Sequence, residues 1–105
     1  MRDRDDTKED ILKRRAKRLA RKGDYRKAAV ALKERVSLID DGPSWVALGD
    51  MLRRARRNNE ALRALKQGLY RHRRAGAHGR VRTVARMIVA LDPWDAQASR
   101  FSEAS

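Results

Sequence analysis

The sequence predicts an all-α protein of five to six helices arranged in antiparallel hairpins. Three observations predict it. Apolar residues recur at spacings of three and four along most of the chain, which places them on one face of successive helices. No segment alternates apolar and polar residues over the length of a strand. The breaks between periodic stretches are three to five residues long, too short for anything but antiparallel neighbours. The chain has 105 residues and is 41% hydrophobic. A chain of that length buries roughly 60–65% of its unfolded surface around one core.

Thr7-Lys8-Glu9-Asp10 opens the first helix as an N-cap with an acid in the first turn. Ile11, Leu12, Ala16, Leu19 and Ala20 form its apolar face, and Gly23 stops it. Asp24 caps a second helix, whose face is Tyr25, Ala28, Ala29, Leu32 and Val36. The break DDGPS puts Pro43 in the first turn of a third helix, which carries Trp45, Leu48, Gly49, Leu52 and Ala55. Asn58-Asn59 is expected to turn the chain, since Asn tolerates the left-handed region and also caps. A fourth helix follows with Ala61, Leu62, Leu65, Gly68, Leu69 and His72, then the loop AGAHG. A fifth carries Val81, Val84, Ala85, Ile88, Val89 and Leu91 and ends at Asp92-Pro93. A short sixth is expected from about Asp95 to Phe101.

A large residue, a leucine, a glycine and another leucine at Trp45, Leu48, Gly49 and Leu52 describe two helices that cross closely over a small residue. With Ala61, Leu65 and Gly68 behind them, they resemble the tetratricopeptide repeat. Leu12, Ala16 and Leu19, then Gly23, then Ala28 and Leu32 match it again, while Arg15 and Arg35 depart from it. The closing VARMIVALDPWDAQA is similar to the end of one repeat running into the next. The resemblance covers about residues 10–98. It implies a single domain wound as a right-handed superhelix of three repeats, near 9–41, 42–75 and 76–105, behind a flexible leader at 1–7. It also implies that the first helices of successive repeats line a concave groove that binds another protein.

The net charge is +13, which calls for an acidic partner. The charge is uneven: residues 53–86 hold 12 Lys or Arg against Glu60 alone, whereas residues 23–52 hold 4 against 5 acids. Lys13, Lys17 and Arg21 fall on one stripe of the first helix, and Arg53, Arg54 and Arg57 lie at the end of the third. Taken singly, each arginine reads as a solvated side chain. The cluster as a whole points to a partner, because like charge at this density destabilises a chain that carries it unpaired. These six residues are the expected contacts for an acidic or phosphorylated segment of another protein, since the planar guanidinium pairs with carboxylate and phosphate at two points. Two other readings compete. The same charge would hold nucleic acid weakly and without sequence preference, although only Tyr70 is available to stack in the basic region. The apolar end formed by Ile88, Leu91, Trp94 and Phe101 would support a homo-oligomer.

Catalysis is not expected. His72 and His78 have no partner at metal-ligand spacing, and read as a helix-boundary and a loop histidine. Asp5-Asp6 and Asp40-Asp41 sit in capping or turn positions, and neither GAHG nor KGD forms a phosphate loop. No metal or cofactor is expected, and with no cysteine there is no disulfide framework. No apolar run approaches the ~18 residues of a membrane span. The charged MRDRDDTKED lacks the apolar core of a secretory signal, so a cytoplasmic location is expected.

Overall fold

The computed structural model describes residues 6–103. Six helices follow one another: α1 (Lys8–Arg21), α2 (Tyr25–Leu38), α3 (Gly42–Arg54), α4 (Asn58–Arg74), α5 (His78–Leu91) and α6 (Ala96–Glu103). No strand occurs among the described residues, and the all-α class holds. Each helix packs on its neighbours in the chain, giving a body of 47 × 29 × 20 Å.

The starts of four of the six described helices are written in the sequence. Thr7 accepts from Asp10 N, Asp24 from Lys27 N and Asp41 from Ser44 N, each satisfying an amide that has no partner inside its helix. Asp95 does the same for Ala98 N in α6. Residues 1–5 of the expected flexible leader lie outside the described residues, while Asp6 accepts a hydrogen bond from Arg14.

Three of the connections share one geometry. In each, a residue of positive φ follows the helix: Gly23 at 80°, Arg56 at 64° and Gly76 at 68°. The next amide then reaches back to a carbonyl five residues earlier, as Asp24 to Leu19, Arg57 to Leu52 and Ala77 to His72. The expected turn at Asn58-Asn59 is therefore corrected. Asn58 already belongs to α4, that helix has no side-chain cap, and Arg56 takes the left-handed conformation. A side chain there carries a steric penalty that glycine avoids. Arg56→Gly is expected to raise stability by up to about 1 kcal/mol, seen as a higher chemical-denaturation midpoint.

The core forms two clusters, one over α1–α4 around Leu12, Ala28, Leu32, Leu48 and Ala61, and one over α4–α6 around Leu65, Val84, Ala85 and Ile88. Gly49 sits at the predicted crossing, against Leu65 of α4. Trp45 is only half-buried, not enclosed as its place in the pattern implies. Its indole N–H donates to Asp40 and its ring lies 5.2 Å below the Arg71 guanidinium, so a polar partner and a cation hold it at the edge. Arg35, which departs from the repeat pattern, ties three helices together. It donates to the Glu9 carbonyl of α1 and to the buried Ser44 hydroxyl of α3.

Candidate functional site

α2 and α4 both lean on α3 and leave a furrow between them. Three stripes meet there, each at helical spacing. Arg26, Ala29, Val30 and Lys33 come from α2, Trp45, Leu48 and Leu52 from α3, and Glu60, Arg63, Ala64 and Gln67 from α4, with Arg57 and Lys66 at the rim. The furrow has a volume of about 920 Å³. Its floor is apolar, and Val30 stands on its wall 69% exposed. Six cations edge it (Arg26, Lys27, Lys33, Arg57, Arg63 and Lys66) against two carboxylates, Asp24 and Glu60.

Half of those cations are already paired. Lys27 meets Asp24, Arg57 meets Glu60, and Lys66 reaches Asp95 at 3.0 Å. The last contact, together with the Ala98 amide, holds the Asp95 carboxyl below its usual pKa, the amide being the larger cause. Arg26, Lys33 and Arg63 are exposed and have no ion-pair partner among the described residues. Positive potential therefore remains along both walls of an apolar channel.

Of the six residues singled out from sequence, Arg57 alone lines this furrow. Lys13, Lys17 and Arg21 are exposed on α1. Arg53 and Arg54 share Asp50, at 2.5 and 3.3 Å, and Arg54 also lies over the Tyr25 ring. Sequence reasoning passed over Arg26, Val30, Lys33 and Arg63. A signal was present: Val30 is an aliphatic residue off the core face of α2, with cations four residues before it and three after.

A second, shallower depression of about 410 Å³ lies by the α2–α3 connection and the end of α4. Asp40 accepts there from Arg71 and from Trp45, and these bonds, Arg71's first, hold its carboxyl below the usual carboxylate value. His72, expected at a helix boundary, does lie in the last turn of α4, and it is buried there at 5% exposure. Its ring fills the space that Gly42 leaves open: a Cβ on Gly42 would stand 2.6 Å from it. Burial pushes the His72 pKa down and the Arg80 cation adds to this, against an opposing pull from Asp41. The unfolded chain, with an ordinary histidine near pH ~6.5, thus takes up this proton before the folded one does. The contribution of neutral His72 to stability is complete above that pH and is lost as the pH falls below it. The thermal midpoint is expected to drop between pH 8 and pH 5, and to drop less in His72→Gln. Equal slopes would place the titration elsewhere.

The apolar C-terminal end is smaller than expected. Ile88 is fully buried in the core and is removed from that surface. Leu91 and Phe101 are half-buried, with the Arg73 guanidinium 4.7 Å over the Phe101 ring. Trp94 remains, 91% exposed. Among the described residues no group of three or more His, Cys, Asp or Glu is placed to hold a metal ion, and no helix is long and apolar enough to cross a membrane. No family model matches the chain, and no curated protein matches it.

Proposed function

We propose that this protein is a non-enzymatic, tetratricopeptide-like adaptor that binds an acidic or phosphorylated segment of another protein in the furrow between α2 and α4, the second helices of its first two hairpins and not the first helices on which the resemblance puts the groove. The observation that carries the reading is the pairing of an apolar floor with unneutralised cations on both walls, Arg26 and Lys33 on one side and Arg63 on the other. An apolar floor rewards side chains that leave water. The cations draw an acidic chain in and set its register.

Nucleic acid is the second reading, and the net charge of +13 favours it. The furrow itself argues for protein. Its single aromatic residue, Trp45, has a ring face covered by Arg71 and its N–H spent on Asp40, so it makes a poor platform for a base. Tyr70, the stacking candidate in the basic stretch, lies outside the furrow with Arg71 and Arg74 beside its ring. The test is competition. A fluorescent 20-residue peptide of Glu, Leu and Ala is bound to the protein and challenged with random-sequence duplex DNA at equal charge concentration. The peptide is expected to stay bound, and its displacement would make the surface a general polyanion site.

A further inference from the structure

We propose that the occupant of this furrow is an amphipathic α-helix of about three turns, apolar along one stripe and acidic on both flanks. The inference rests on the binding reading above and adds the shape of the ligand.

The argument begins with backbone hydrogen bonds. Ala29, Val30, Leu48, Leu52 and Ala64 offer no side-chain donor or acceptor to a guest, and the Trp45 N–H is already donated to Asp40. An extended peptide laid on this floor would strip water from the amides and carbonyls that face it, with side-chain partners only at Gln67 and the charged groups along the walls, at a penalty for every group left unpaired. The furrow has no strand edge to pair with such a peptide, because its walls and floor are helices. A helix satisfies its own backbone internally and brings only side chains to the surface.

The dimensions agree. On the α4 side the lining runs from Arg57, the residue before the helix, to Gln67, about 15 Å at 1.5 Å per residue. That is the length of about ten helical residues, whereas an extended chain would cross it in four or five. The walls give the charge pattern. Cations stand on both sides of the floor, Lys33 on α2 and Arg63 on α4, so a guest helix meets positive potential along both edges of its apolar stripe. The complementary helix carries Leu, Ile or Met at i, i+3, i+4 and i+7 with Asp or Glu flanking them.

Two synthetic 16-residue peptides of identical Glu, Leu and Ala composition test this. One places every Leu on a single helical face between two rows of Glu; the other scatters the Leu around the helix. Binding is read by fluorescence anisotropy, and helix content by circular dichroism before and after mixing with the full chain. The single-faced peptide is expected to bind at least about tenfold more tightly than the scattered one and to gain helix on binding. A Val30→Glu protein, altered at an exposed wall position, is expected to lose that preference while its own melting is unchanged. Equal binding of the two peptides overturns the helical occupant and leaves the acidic-partner reading standing. Binding of neither overturns both.

Discussion

Gly49→Leu is expected to destabilise the protein by about 1–3 kcal/mol or more. A Cβ on Gly49 would stand 2.7 Å from Cδ2 and Cγ of Leu65 and 3.3 Å from the Leu65 amide nitrogen. Leu65 has no exposed surface, so it cannot swing into solvent to make room. The backbone contact means that moving the side chain does not suffice, and α3 and α4 have to separate. That disturbs the two helices whose contact is the most extensive in the molecule. In a domain of this size each kcal/mol lowers the thermal midpoint by about 4–8 °C, so the loss is large enough to read by calorimetry. Gly79→Ala is the matched control. Nothing lies within 4 Å of a Cβ at Gly79, which is in the first turn of α5, and alanine suits a helix better than glycine by up to about 1 kcal/mol. The two substitutions should therefore shift the midpoint in opposite directions. An unchanged midpoint for Gly49→Leu would mean that the helices do not cross there.

Gly49 also marks what a sequence discloses. The helices, the caps of α1, α2 and α3 and this crossing were legible because each depends on residues close in the chain: a period near 3.6, an Asp or Thr before an apolar run, a glycine one turn from both Trp45 and Leu52. Arg56 was not legible. The turn geometry is shared with Gly23 and Gly76, but an arginine does not announce a positive φ, and Asn58-Asn59 nearby carried the stronger local signal. The full burial of His72 and the partial exposure of Trp45 were not legible for a related reason. His72 is buried because Gly42, thirty residues earlier, leaves room for it, and Trp45 is held at the edge because Asp40 and Arg71 meet its ring from different elements. The furrow was the least legible feature. It exists because α2 and α4 both pack on α3 without closing on one another, and no helical wheel of a single segment contains that separation. The basic stripes on α1 and α3 were found because they are dense in sequence, whereas Lys33 and Arg63 are thirty residues apart and converge only in the fold.

Reversing Lys33 and Arg63 together to Glu is expected to weaken binding of the single-faced acidic peptide by at least about tenfold, or ~1.4 kcal/mol. Each is exposed and has no ion-pair partner among the described residues, so the folded state loses little by the exchange. Helix content and melting should stay near those of the unaltered chain. The binding partner, by contrast, meets repulsion where it met attraction, on both walls of an apolar channel that partly excludes water. Much of the remaining attraction is screened by added salt over ~8–10 Å, so the gap between the two proteins should narrow as salt rises. The parallel variant reverses Lys13 and Lys17, exposed on α1 and outside the furrow. It removes the same formal charge, so any effect of net charge alone appears equally in both. A loss confined to the Lys33 and Arg63 pair locates the partner between α2 and α4. A loss confined to the α1 pair returns the site to the first-helix stripe of Lys13, Lys17 and Arg21, where the tetratricopeptide resemblance puts it, and leaves the furrow without a ligand. Equal, modest losses in both would mean that the peptide senses the +13 charge of the whole chain and no particular groove.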